Sequence, residues 1–545
     1  MLRRLAALAV ATSACAALTV PALAVTEPIV HSAPDAALSV TPLGTYATGV
    51  FAQSAAEIVA FHAKTQRLFV VNAAAGQVDV LDGRDAAAPT KLFDLQTAEV
   101  QSEDGSVIPA GAVANSVAIR PDGLGVIAVE APDKTDNGWV VFFDATADRN
   151  ATLGAVRVGA LPDMLTFTPD GKQILVANEG EPAEDYSVDP EGSISVIKAP
   201  PQVRAGKQNQ VKTADFRAFE GKLPAGVRIF GPAGTDAQNL EPEYITVDGR
   251  SKKAYVTLQE NNAIAVVNLD QARVERILPL GTQDLAQVAM DVSDRDQAIN
   301  IATWPGVESF LLPDAIASYE VGGRTYLVTA NEGDARDWDA FSEEARVKDL
   351  GKDGLKPICA DAPAYAHRTD AELGRLTITT TAGLNAEGTC YETLYAFGGR
   401  SFSIFDTDGN RVFDSGSQFE EITAAAIPEF FNYNHEENAF DNRSDNKGPE
   451  PEGVVVGEVD GRTYAFIGFE RIGGVIVYDV TDPRAAEFVT YVNNRDFSAD
   501  PETAAAGDLG PEGLALVPAS DSPTGRPMLV IGNEVSGTTT TFDIR

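Results

Sequence analysis

One unit recurs along this chain, and it restricts the fold more than any other feature. It consists of a short strand, a turn such as Pro-Asp-Gly or Val-Asp-Gly, a second apolar strand that runs into Asn-Glu or Gln-Glu, a loop, and a third strand. Arg120-Pro121-Asp122-Gly123 leads into a run ending at Glu130, and Thr168-Pro169-Asp170-Gly171 leads into Val176-Ala177-Asn178-Glu179. Val247-Asp248-Gly249 precedes Thr257-Leu258-Gln259-Glu260, and Val321-Gly322-Gly323 precedes Thr329-Ala330-Asn331-Glu332. Val459-Asp460-Gly461 leads to Phe469-Glu470, and Val530-Ile531-Gly532-Asn533-Glu534 closes the series. Leu68-Phe69-Val70-Val71-Asn72 opens it without the Glu. The runs are short, rich in β-branched and aromatic residues, and bounded by Gly, Asp and Pro, so they read as strands.

Third strands follow at 77–81, 139–143, 193–197, 263–268, 401–405, 474–478 and 538–542, and fourth strands fit between copies, as at 91–95 and 155–158. A four-stranded unit cannot bury both of its faces alone, and radial packing against its neighbours solves this. The repeat therefore predicts an all-β fold: a seven-bladed β-propeller of the YVTN/WD40-like kind with loop insertions, filling 25–545 as one domain. Two β-sandwiches would leave the repeat unexplained. The segment 39–46 has no copy of its own to finish, so it is expected to supply the outer strand of the last copy and lock the ring. The largest insertion falls at about 333–394, between the second and third strands of the fifth unit, and 342–348 within it reads as helical. A smaller insertion at 200–238 separates the third and fourth units, and a polar run at 432–451 enters the sixth. Insertions on a rigid scaffold are where binding is usually built.

Each unit also opens with an acid: Glu57, Asp163, Glu243, Asp314, Glu452 and Glu512, with Asn115 in the second unit. All but Glu57 directly follow a proline. A second set, Glu130, Glu179, Glu260, Glu332, Glu470 and Glu534, ends the second strands. Antiparallel neighbours place the start of one strand beside the end of the next, so both sets are expected at one mouth of the channel. Two unit charges ~6 Å apart repel by ~0.7 kcal/mol in water and ~3 kcal/mol at an effective dielectric of ~20. A crowd of carboxylates must then take up cations or protons. Oxygen ligands in a chain with only 4 His point to a hard cation, calcium before magnesium. The candidate ligands are Asp163, Glu179, Glu243, Glu260, Asp314, Glu332, Asp334, Glu452, Glu470, Glu512 and Glu534. The loop 179–191, Asp337 and Asp339 add acids to the same face. The competing reading is that these acids cap strand ends and accept backbone N–H bonds.

With 79 acidic against 42 basic residues the formal charge is −37, which argues against nucleic acid as a partner. Met1-Leu2-Arg3-Arg4, the apolar stretch after it and Ala22-Leu23-Ala24 have the form of a signal peptide over 1–24. No later apolar run reaches the ~18 residues of a membrane span, so a secreted, extracytoplasmic protein is expected. In that oxidising setting Cys359 and Cys390 are expected to form one disulfide. No G-x-S-x-G, P-loop or H-E-x-x-H is present, and His62, His367 and His435 read as structural. Nothing implies an organic cofactor.

Several motifs carry a resemblance. Leu175-Val176-Ala177-Asn178-Glu179-Gly180-Glu181-Pro182 with Asp189-Pro190-Glu191-Gly192-Ser193, and Thr329-Ala330-Asn331-Glu332-Gly333-Asp334-Ala335-Arg336, are similar to the choice-of-anchor I family. So are Phe397-Gly398-Gly399-Arg400-Ser401-Phe402 and Gly510-Pro511-Glu512-Gly513 with Gly532-Asn533-Glu534. That family includes mesenchyme-specific cell surface glycoproteins and bacterial proteins called alkaline phosphatases. The resemblance implies a propeller and an extracytoplasmic life. Two functions follow as expectations. One is a secreted calcium-binding propeller that recognises an extracellular ligand or surface. The other is a calcium-dependent phosphoesterase, for which Arg336, Arg400 and Arg471 are the candidates to hold phosphate. The zinc and serine constellation of conventional alkaline phosphatase is not visible here. In the competing reading, these arginines pair with the acids.

Overall fold

The computed structural model describes residues 26–232 and 234–545; the segment read as a signal peptide lies outside them. The chain is all-β, with α-helix among the described residues at Asp236–Asn239 and Gln418–Ala426. No helix among those residues is long and apolar enough to cross a membrane.

The repeat folds into four-stranded antiparallel meanders, and such sheets fit a propeller. Their first strands are Val59–His62, Val113–Ile119, Pro162–Phe167, Pro242–Val247, Ile316–Val321, Pro451–Val459 and Pro511–Val517. Each touches the next in chain order, and Pro511–Val517 returns to touch Val59–His62, so the first strands close a ring. The second and third strands are buried on both faces, as continuous apolar runs such as Ala263–Val267 require. Core clusters fill the spaces between neighbouring sheets; Ile174 and Val176, for example, pack with Val126 and Val140 of the preceding sheet. The strand Val40–Ala47 pairs antiparallel with Thr538–Ile544 and completes the last sheet, as the sequence led us to expect. A feature the repeat did not announce is Ile29–Ser32, which adds a fifth strand to the sheet of 451–493.

The large insertion does leave between second and third strands, after Arg324–Asn331 and before Ser401–Asp406. It builds a second, five-stranded sheet from Thr282–Asp284, Val307–Phe310, Leu394–Ala396, Thr377–Thr379 and Glu344–Arg346. The linker 280–315 thus joins the insertion, which the sequence reading had not assigned. The helix expected at 342–348 is not there. Glu344, Ala345 and Arg346 pair with Thr379, Ile378 and Thr377, and only a 3-10 turn, Val347–Asp349, follows. Strand pairing overrides the local helix propensity of Glu-Ala-Arg. Cys359 and Cys390 are bridged, with Cα atoms 5.0 Å apart. Replacing both by Ser should destabilise the inserted module by about 3–4 kcal/mol, the chain-entropy value for a loop of this length. Limited proteolysis of the double variant should cut first within 340–395; an unchanged pattern would mean the surrounding core alone holds the module.

Candidate functional site: an acid-lined channel mouth

The sequence device behind the site is a β-bulge. In the sheets opened by Pro162, Pro242, Pro451 and Pro511, the register shifts by one residue just after the proline. In the second sheet the shift falls at Asn115. A bulge leaves one residue out of the ladder and re-aims its side chain, here the acid that follows each proline. Glycine then lets the strands crowd together. A Cβ on Gly453 would lie 2.0 Å from the backbone O of Glu512, and one on Gly513 would lie 2.6 Å from that of Glu57. The Asn of each Asn-Glu ties the second strand to the third. Asn178 Nδ2 donates to Ser195 Oγ at 3.0 Å, and Asn331 Nδ2 donates to Ser403 Oγ at 2.8 Å. The Glu that follows is held at the strand end.

Both sets of acids therefore meet at one end of the ring. Carboxylate oxygens of Asp163, Glu179 and Glu243 lie within 4.8 Å of one another, as do those of Glu57, Glu512 and Glu534, and those of Glu332, Glu450 and Glu470. Burial pushes Asp163 up to about 7, helped by Glu130 and Glu181. Burial also lifts Glu179 and Glu243 well above the usual carboxylate range, with Glu243 repelling the first and Asp314 the second. Glu512 is raised by burial, then by Glu57 and Glu534, and Glu452 by burial, then by Glu470 and Glu512. Glu260 and Asp314 belong to the same crowd, Glu260 at about 7.

One sector is different. Lys447 is buried, and its Nζ lies 3.2 Å from Glu332 Oε1, 3.0 Å from Asp334 Oδ1 and 3.5 Å from Glu450 Oε2. Arg443 also pairs with Glu450, and Arg471 Nε reaches Glu450 Oε2 at 3.1 Å. Burial opposes charge on Glu450, but Lys447, Arg443 and Arg471 more than offset it and hold the carboxyl well below its usual range. Neither Glu450 nor Lys447 was singled out from sequence. Glu450 lies between Pro449 and Pro451, one step out of phase with the repeat, and Lys447 sits in a polar run with no spacing to mark it.

The three arginines proposed for phosphate are differently placed. Arg400 does not face the mouth. It is 2% exposed, and its guanidinium donates to Glu420 Oε1 at 2.6 Å and to the backbone O of Asp291, Ser444 and Asn446. Four acceptors take up both terminal nitrogens, and burial keeps the group from a ligand at the surface. Arg336 is also 2% exposed, forms an ion pair with the buried Glu241 and lies over the Phe230 ring. Arg471 stays beside the mouth, 3.1 Å from Glu470 Oε1 and 2.8 Å from His435 Nε2. Burial and the Arg471 charge push His435 down to about 3, so the ring is neutral and accepts from the guanidinium. Next to Glu534 a recess of about 380 Å³ is lined by Phe51, Ala52, Ser54, His435, Glu436, Glu502 and Val535.

The raised carboxyls set the pH response of the metal-free protein. The folded state keeps protons that the unfolded chain gives up near pH 4, so this contribution to stability is full below that and is lost as pH rises through about 7, the value of Asp163 and Glu260. In chelator, the melting temperature should fall between about pH 5 and pH 7.5. A rise over that window would show that these acids are ionised and satisfied without a metal.

Comparison with known proteins adds a family and two relatives. The model of the family described as Choice-of-anchor I domain matches residues 57–483. A mesenchyme-specific cell surface glycoprotein of Strongylocentrotus purpuratus is 31% identical over 276 residues, 45% of this chain and 35% of the relative. Gigasin-3a of Magallana gigas is 32% identical over 199 residues, 34% of this chain and 68% of the relative. The chain thus spans about a third of the sea-urchin protein it matches. Among solved structures, Kuenenia stuttgartiensis hydrazine synthase superposes with a TM-score of 0.43 at 12% identity, covering 91% of this chain and 98% of that one. The β-propeller domain of Myceliophteria thermophila Cps50 (Swd1) gives 0.41 at 9% identity, covering 93% and 99%.

Proposed function

Because the chain belongs to the choice-of-anchor I family, we propose that it is an extracellular β-propeller of seven blades that binds calcium at its acid-lined mouth and presents that face to an extracellular ligand or surface. The observation that carries the reading is the convergence of carboxylates. Two trios, Asp163–Glu179–Glu243 and Glu57–Glu512–Glu534, have ligand oxygens within 4.8 Å and no ion-pair partner among the described residues. Only a bound cation or protonation relieves such a site, and all-oxygen donors favour calcium. The closed ring of first strands supports seven blades. The disulfide and the cell-surface relative support an extracellular setting.

The recess beside Glu534 is the natural seat for a ligand group, at the edge of the metal-binding face. The phosphoesterase alternative needs a cation free to hold phosphate, and each candidate arginine already has a carboxylate partner. Hydrolysis of p-nitrophenyl phosphate, measured with calcium and with chelator, separates the two. Calcium binding without turnover is expected; calcium-dependent turnover that is lost in Arg471→Ala would favour the enzyme.

A further inference from the structure

We propose that the mouth takes two divalent cations, one at Asp163–Glu179–Glu243 and one at Glu57–Glu512–Glu534, and that the Lys447 ammonium stands in the place of a third. This rests on the calcium reading above and adds the number of ions, their positions and the device that limits them.

The three trios are geometrically alike but not electrostatically alike. The sector of Glu332, Glu450 and Glu470 already contains Lys447 Nζ, 3.2 Å from Glu332 and 3.5 Å from Glu450, with Arg443 and Arg471 on the same carboxylates. Among the described residues, the one side-chain hydrogen bond to the other two trios is from Ser54 Oγ to Glu534 Oε2 at 3.2 Å. Buried acceptors there point to a ligand as well. Among the described residues neither Glu512 Oε2 nor Glu260 Oε2 meets a donor; Glu260 is 8% exposed, and its charge helps to raise both Glu179 and Glu243. A native interior rarely leaves such oxygens bare unless an ion or water meets them.

Charge explains why a lysine suffices in the third sector. Without the ammonium, the cations paired with Glu332, Asp334, Glu450 and Glu470 among the described residues are the guanidiniums of Arg443 and Arg471, which leaves the deficit a divalent ion would fill. Lys447 arrives on the polar run 432–450, which the inserted module grips. Arg346 Nη1 lies 3.0 Å from Asp445 Oδ2, Arg375 Nη2 lies 2.8 Å from it, and Arg400 holds the carbonyls of Ser444 and Asn446. The ammonium is thus fixed in place, and an ion competing for its position must displace an anchored strap.

Calorimetric titration of the chelator-treated full chain with calcium chloride tests this. Wild type should take two equivalents, Lys447→Met three, and the double variant Glu57→Gln/Glu512→Gln one. Three equivalents in wild type, or two in a folded Lys447→Met, would overturn the inference while leaving calcium binding intact. If Lys447→Met does not fold, the counts of wild type and the double variant still decide the two-ion assignment. No uptake by wild type would overturn this and the functional reading together.

Discussion

Calcium added to the metal-free protein is expected to raise its melting temperature by about 5 °C, and sodium chloride at matched ionic strength by about 1 °C or less. An ion bound only by the folded state stabilises by RT ln(1 + [L]/Kd), about 2.7 kcal/mol at a hundredfold excess over Kd. Two ions give about 5 kcal/mol. Unfolding entropy scales with length, so in a chain of this size each kcal/mol moves the midpoint by about 1 °C. Glu179→Gln should remove about half of the response, because it deletes a ligand from one trio only. The same change should raise the metal-free midpoint, since Glu179 is pushed up by burial and by Glu243, and amide neutralisation relieves both. Scanning calorimetry of both proteins in chelator, calcium and salt checks it. If salt reproduces the calcium effect, the mouth is an acidic surface and the metal assignment fails.

Arg400→Met should cost about 3–5 kcal/mol, an effect of similar size from a single side chain. Removing the guanidinium strands Glu420, 2% exposed, and leaves the carbonyls of Asp291, Ser444 and Asn446 without their donor. Because Asp291, Glu420 and the 444–446 carbonyls lie on three different segments, the loss should be felt first as proteolysis within 432–450. Arg400→Met combined with Glu420→Met should recover much of the loss, since the unpaired charge is gone. Arg324→Ala, at an exposed turn, should stay within about 0.5 kcal/mol of wild type. An Arg400→Met protein as stable and protease-resistant as wild type would show that the clamp is dispensable.

The sheets were legible in sequence because the repeat writes each second strand twice, once as apolar residues and once as the polar pair that ends it. Asn178-Glu179 and Asn331-Glu332 illustrate this: the Asn is needed for the bond to the third strand, so its spacing is preserved with the strand. The convergence of the acids followed from antiparallel geometry alone. What failed to show was pairing that neither the repeat nor the closing of the ring announces. The strand at Glu344–Arg346 is made by Thr377–Thr379, not by its own residues. Arg400 looked like a ligand-binding residue because its motif sits beside those of the mouth, yet its partners lie at Asp291, Glu420 and Ser444. Lys447 reaches Glu332 across 115 positions of chain, a pairing no local pattern encodes.

The pairing of Val40–Ala47 with Thr538–Ile544 bears on the order in which this protein can be made. Thr45 Oγ1 and Thr540 Oγ1 lie 2.8 Å apart, yet 495 positions separate them. Synthesis proceeds from the N-terminal side, so Val40–Ala47 waits through nearly the whole of translation for its mate. Until that mate emerges, the last sheet lacks its outer edge and the circle of sheets stays open. Such an intermediate has unpaired edges at both ends of the arc. The final interlock therefore forms only after the last strand, Thr538–Ile544, has been made.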